Sequence, residues 1–257
     1  MKVLAIACHP DDMEFMMGGT LLLLRDAGCE IHYINIANGS VGSVELPPAK
    51  IALVRAFEAA KSAGLLGATH YPALVDDLEV FYEQSIIRKV TAIVRRVKPD
   101  IVLTQSLEDY MEDHMNTARI AGTATFLRNV ANYRSIPDEE AVFEDVMLYH
   151  STPHILTDMM RVPVVPEFYV NISGVMERKT AMLACHASQK EWLDKTQGFD
   201  SYLSAMKELS GKVGGMSGRF AFAEGWRRHS HVGFSREDCD PVSRVLGDRL
   251  VITAPKS

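Results

Sequence analysis

Val3-Leu4-Ala5-Ile6-Ala7-Cys8-His9-Pro10-Asp11-Asp12, with Phe15-Met16 and Leu22-Leu23 after it, is the stretch that decides the fold. The run from Val3 to Cys8 is apolar without the alternation of a half-exposed strand, so it reads as a strand buried on both faces. Pro10 and the two acids make a turn, and apolar residues at helical spacing follow. Strand, turn and helix form the opening unit of an α/β protein.

The unit recurs. Ile31 to Ala37 reads as a second buried strand, and Pro48 to Gly64 as a helix with Pro early and Gly at its end. A short strand near Thr69-His70-Tyr71 leads to a helix from about Glu79 to Val97, and Lys98-Pro99-Asp100 punctuates the entry to Ile101-Val102-Leu103-Thr104. A helix from about Asn116 to Asn132, a polar loop from Arg134 to Ala141 and a strand from Val146 to His150 complete a core of about residues 1–150. Strands alternating with helices of this length predict βαβ crossovers: an α/β, Rossmann-like, mostly parallel sheet with helices on both faces. Beyond residue 150 the expectation is a strand from Glu167 to Ile172 and helices from Val175 and from Glu191. Gly211 to Gly218 holds four of the chain's 17 glycines and is expected to be a mobile loop of the kind that covers a site.

With 257 residues, 47% of them apolar, one domain over residues 1–257 is expected, residues 151–257 completing the pocket. The formal net charge is -6 with both signs mixed along the chain, which excludes the basic stripe of a nucleic-acid partner. The four cysteines form no CxxC pair, so a reducing compartment is expected. No secretory leader is legible after Met1-Lys2, and no apolar run reaches the roughly 20 residues of a membrane span. The expectation is a cytoplasmic protein; a homo-oligomer is compatible with the sequence.

In a doubly wound sheet of order 3-2-1-4, strands one and four are neighbours where the winding reverses, and ligands bind at their carboxyl ends. That order brings His9-Pro10-Asp11-Asp12 together with Glu112-Asp113-His114, about a hundred residues away. His9, Asp12 and His114 then offer two imidazoles and a carboxylate, a catalytic zinc set that leaves a position for water. Asp11 remains as a carboxylate beside the metal, placed to act as general base. Each part has an ordinary reading when taken alone. Asp11-Asp12 after a strand also serves as a helix N-cap, worth about 1 kcal/mol, and a single histidine such as His114 is commonly just hydrogen-bonded. Only their joint placement points to a metal. Met16, Met17 and Leu21 to Leu24 read as core. His186 reads as a helix-end charge, and His32, His70, His150 and His154 carry no spacing signal.

Cys8-His9-Pro10-Asp11-Asp12-Met13-Glu14 resembles the AHPDDxE signature of the LmbE-like, or PIG-L-type, de-N-acetylases. Arg55-Ala56-Phe57-Glu58-Ala59-Ala60 with Leu65-Leu66-Gly67, Asp113-His114, and Phe222-Ala223-Glu224-Gly225-Trp226 resemble three further segments of that family. The resemblance implies Zn²⁺ held by His9, Asp12 and His114, Asp11 as base and Arg55 as a substrate contact. It also implies hydrolysis of an N-acetyl group on an amino sugar or glycoconjugate or, in a mycothiol-conjugate-amidase branch, of a larger amide. Where the family carries an oxyanion-stabilising histidine this chain has Met111, and a thioether cannot donate a hydrogen bond. Tyr110 is adjacent, as a substitute or substrate contact. His229 and His231 either fold over the site as catalytic groups or form a solvent-facing basic patch. A nicotinamide nucleotide is excluded, because GxGxxG is absent and acids stand where phosphate would sit. Two imidazoles and a carboxylate also hold Fe(II) in oxygenases, and a degenerate site would leave a sugar-binding protein without chemistry.

Overall fold

The computed structural model describes residues 1–189, 202–247 and 251–253. Five strands, β1 (Lys2–Ala7), β2 (Glu30–Asn35), β3 (Thr69–Tyr71), β4 (Ile101–Thr104) and β5 (Met147–Ser151), form the parallel part of one sheet in the order β3-β2-β1-β4-β5. Antiparallel β7 (Ala223–Arg228), β6 (Phe168–Asn171) and β8 (Val251–Thr253) extend it beyond β5. The expected 3-2-1-4 order is therefore present, and the winding reverses between β1 and β4. The register Ile6↔Thr104 brings the residues after both strands to one crevice.

The pleat of β1 divides the core into two layers. Val3, Ala5 and Ala7 belong to one apolar cluster, with Leu21 and Leu24 of α2 (Gly18–Asp26), Ala59 and Ala63 of α3 (Pro48–Leu66), and Leu183 of α6 (Met176–Leu183). Leu4, Ile6 and Cys8 belong to the other, with Ile86, Val90, Val94 and Val97 of α4 (Gln84–Val97) and Ala121 and Ala124 of α5 (Glu112–Leu127). Both faces of the sheet are thus covered, which is why β1 reads as an unbroken apolar run. Between β1 and α2 lies the one-turn helix α1 (Asp12–Met16).

Two expectations need correction. Gly211 to Gly218 is not a loop: α7 (Tyr202–Met216) contains Gly211, Gly214 and Gly215, and the chain turns only at Gly218. Packing overrides helix propensity here, because a Cβ on Gly214 would lie 2.6 Å from the carbonyl oxygen of Ala221. The late Phe222-to-Trp226 segment does not fold over the crevice. It enters β7, an interior strand whose Glu224 is buried. The helix expected from Glu191 lies outside the described residues. Boundaries also move: α5 starts at Glu112, which puts His114 in its first turn, and α3 ends on the left-handed Gly67. A further helix, α8, covers Pro241–Leu246. No helix among the described residues is long and apolar enough to cross a membrane.

Candidate active site

A cavity of about 520 Å³ opens at the carboxyl ends of β1 and β4, lined among others by His9, Asp11, Asp12, Arg55, Tyr110 and His114. The turn after β1 carries His9 and Asp11, and Asp12 opens α1. Asp11 has φ 104°, a conformation that costs a non-glycine residue about 1–3 kcal/mol and must be imposed by its surroundings. Arg55 of α3 and Tyr202 of α7 impose it. Arg55 Nη2 donates to the Pro10 carbonyl oxygen at 2.5 Å and lies 3.4 Å from Asp11 Oδ2, while the Tyr202 hydroxyl donates to the same carboxylate at 2.6 Å. Room for the guanidinium comes from Gly39, where a Cβ would lie 2.4 Å from Arg55 Nη1. Asp11 occupies the N-cap of α1, yet its side chain caps nothing. The ordinary N-cap reading of this pair therefore fails for Asp11.

Asp12 is the hub. Its Oδ2 accepts from the His9 backbone N–H at 2.7 Å and from Gln105 Nε2 at 3.2 Å, and it lies 3.2 Å from His9 Nδ1 and 3.3 Å from His114 Nε2. Each imidazole turns its other nitrogen to a carboxylate: His9 Nε2 lies 2.9 Å from Asp77 and 3.4 Å from Asp113, and His114 Nδ1 lies 3.3 Å from Asp109. Carboxylates behind imidazoles fix the tautomer that presents a lone pair forward, as in metal sites. The ligand atoms of His9, Asp12 and His114 lie within 4.8 Å of one another. The carboxylates of Asp11, Asp12, Asp77, Asp109 and Asp113 gather around these imidazoles with Arg55 as the one guanidinium among the described lining residues, so the donor set suits a divalent cation. A second group, Cys8 with His9 and Asp113, shares His9. Burial pushes the Cys8 thiol up from its ordinary value.

The two adjacent acids are driven apart. Burial opposes ionisation of Asp12, but His114 and His9 outweigh it and hold the carboxyl well below the usual range. For Asp11 burial prevails over Arg55, and the carboxyl is raised. The two neighbouring carboxyls thus differ in how readily they ionise, Asp12 more readily than Asp11.

His229 and His231 are not brought to this cavity. His229 follows β7, where its Nδ1 lies 3.0 Å from His150 Nε2, and it lines a separate apolar cavity with Phe126 and Phe234. His231 sits in the turn whose carbonyl accepts the backbone N–H groups of Phe234 and Ser235. His229 still donates its backbone N–H to the Leu148 carbonyl oxygen at 2.9 Å, which keeps it on the β5 edge and away from the crevice. His186 lies just past the end of α6, as expected, but in the interior. It is fully buried, its Nε2 3.3 Å from Glu14, whose other oxygen accepts from Tyr33 and Ser62. Asp77, Asp109, Gln105, Tyr202 and His154 are site residues that sequence reasoning passed over. Asp109, five residues before His114, had the one usable signal.

A candidate metal group in the switch-point crevice of an α/β sheet is an enzyme's architecture. Residues 4–125 match the PIG-L family, described as GlcNAc-PI de-N-acetylase. The diacetylchitobiose deacetylase of Thermococcus kodakarensis is 28% identical over 233 residues, covering 88% of this chain and 82% of that protein. The 4-oxalmesaconate hydratase of Pseudomonas putida is 26% identical over 197 residues, covering 74% of each. Among solved structures, the N,N'-diacetylchitobiose deacetylase of Pyrococcus horikoshii superposes with a TM-score of 0.73 at 25% identity, covering 92% of this chain and 86% of that one.

Proposed function

We propose that this chain is a zinc-dependent hydrolase that removes the N-acetyl group of an amino sugar or sugar conjugate. The observation that carries the reading is the convergence of His9 Nδ1 and His114 Nε2 on Asp12 Oδ2, with the raised carboxyl of Asp11 beside them. His9, Asp12 and His114 would hold the ion. When bound, zinc supplies Lewis acidity and brings a water within reach of deprotonation near pH 7. Asp11 accepts the proton of the attacking water and returns it to the leaving nitrogen. Arg55 and Tyr202 keep the Asp11 carboxylate aimed, and Arg55, itself buried against Pro10, acts more through Asp11 than on the substrate. Tyr110, 48% exposed at the cavity, is placed to contact the sugar. Residues 1–257 work as one unit in this reading, since His154, Tyr202 and Ala205 supply part of the lining. Four free cysteines fit a cytoplasmic setting.

The hydratase relative raises a second reading, addition of water to an unsaturated tricarboxylate. The acidic lining argues against it, because the guanidinium among the described lining residues, Arg55, is already engaged by Asp11 and Pro10. The test is acetate release from N-acetylglucosamine, its oligosaccharides and its inositol or malate conjugates, with and without chelation. Acetate that disappears on chelation and returns with zinc supports the proposal. Turnover of unsaturated tricarboxylates alone contradicts it.

A further inference from the structure

One histidine of the cavity has no task in that reading. His154 lies on the loop after β5 and lines the cavity together with His9 and His114. Its ring packs against Phe15 at 4.3 Å between centroids and stands 6.3 Å from Tyr110, whose own ring meets His114 edge-on at 5.8 Å. His9, His114, His150 and His186 each face a carboxylate or carbonyl. The ring nitrogens of His154 have no hydrogen-bond partner among the described residues. An imidazole packed against a phenyl ring, open to a cavity and without a partner among the described residues, is a donor available to a ligand.

The chemistry of the cavity supplies a use. Water addition to an acetamide places negative charge on the former carbonyl oxygen, and a donor aimed at that oxygen is worth about 10²–10³ in rate. Met111, which lines the cavity at the start of α5, has no hydrogen to give. Tyr110 has one, but the residue is half exposed and water competes for its hydroxyl. We propose that His154 donates a ring N–H to this oxyanion, the task Met111 cannot perform; the inference rests on the de-N-acetylase reading. In the step, the water oxygen bonds to the carbonyl carbon, the π pair moves onto oxygen, and the water proton passes to Asp11. On collapse the carbonyl re-forms, the C–N bond breaks and nitrogen takes that proton, giving the amine and acetic acid. His154 shares its hydrogen throughout and gives up none. Burial pushes its imidazole below the ordinary value, which favours the neutral donor form.

The test compares wild type with His154→Phe, which keeps a ring against Phe15, His154→Gln, which keeps an N–H donor, and Tyr110→Phe. On whichever N-acetyl sugar the wild type hydrolyses, His154→Phe is expected to lower kcat about 10²–10³-fold, with KM, zinc content and melting temperature near wild type. His154→Gln is expected to recover at least about tenfold of that loss, on the order of one weaker donor. A methylphosphonamide of the same amino sugar, tetrahedral and anionic at the oxyanion position, should lose affinity for His154→Phe by a like factor. Wild-type release of acetate with His154→Phe unaffected overturns the inference alone. So does inhibitor affinity that does not change, or a loss carried by Tyr110→Phe instead. Should His154→Phe fail to fold, the ratio is read from His154→Gln against wild type, and a change below about twofold in kcat and inhibitor affinity overturns the inference. No acetate from wild type on any of the sugars overturns the reading beneath it.

Discussion

Glu224→Gln is expected to destabilise this protein by about 3–5 kcal/mol while leaving its chemistry intact. The helix α2 has Met17 at its N-cap, which offers no side-chain acceptor, so its first N–H groups depend on a group from elsewhere in the chain. Glu224 on β7 provides it: Oε1 accepts from Gly19 N at 2.8 Å and Oε2 from Thr20 N at 2.7 Å and Thr20 Oγ1 at 2.6 Å. The same carboxylate meets Lys179 Nζ of α6 at 2.7 Å, with side chains 1% and 3% exposed. Neutralising Glu224 leaves a buried ammonium unpaired, which costs about 3–5 kcal/mol, and forfeits an anion at a helix N-terminus, worth about 1 kcal/mol. Lys179→Met leaves Glu224 its three remaining donors and should cost less, on the order of 2 kcal/mol. The double variant should be more stable than the two losses added together, because neither charge is then stranded. Urea unfolding followed by fluorescence of Trp226, whose Nε1 donates to Thr20 Oγ1 at 3.0 Å, measures all four proteins. Strict additivity, or a Glu224→Gln cost below about 1 kcal/mol, refutes the reasoning.

Burial lowers His150 to about 4, so the folded state disfavours the proton that the unfolded chain takes up near 6.5; the stability is complete above that value and is lost as pH falls toward 4. About 2 kcal/mol should be gone by pH 5, and the unfolding free energy of wild type relative to His150→Gln should fall between about pH 7.5 and pH 4.5; a difference independent of pH sinks the claim. Gly214→Ala should cost about 1–3 kcal/mol by collision with the Ala221 carbonyl, whereas Gly215→Ala, with nothing within 4 Å, should stabilise by up to about 1 kcal/mol. Equal melting temperatures for the two would contradict the packing account of α7. Tyr202→Phe removes a donor to Asp11 and so raises that carboxyl further, which should move the acid limb of the pH–rate profile upward; an unmoved limb argues against Asp11 as the base.

Legibility in the sequence followed physical range. The parallel half of the sheet was readable because β1, β2 and β4 are buried on both faces and bounded by turn residues, and the strand order followed from the crossovers. The antiparallel half was harder, since β7 hides an interior carboxylate, Glu224, whose partners Gly19 and Thr20 lie 205 and 204 residues away in sequence. His9, Asp12 and His114 were legible as a trio only through that topology. Asp77, Asp109 and Tyr202 were not, because each acts on a neighbour that folding alone supplies. The glycines of α7 misled, since composition records flexibility but not the backbone that a missing Cβ lets approach. His229 and His231 misled through proximity in sequence to a family-like segment, and the strand that precedes them points them away from the crevice, His229 into another cavity.

The central claim is that His9, Asp12 and His114 hold a zinc ion for which Asp11 serves as base. Asp11→Asn tests it most directly, with bound zinc and acetate release measured on the same preparation. The account predicts one equivalent of zinc and a kcat lowered by about 10²–10⁴. A full equivalent of zinc with near-normal acetate release contradicts it.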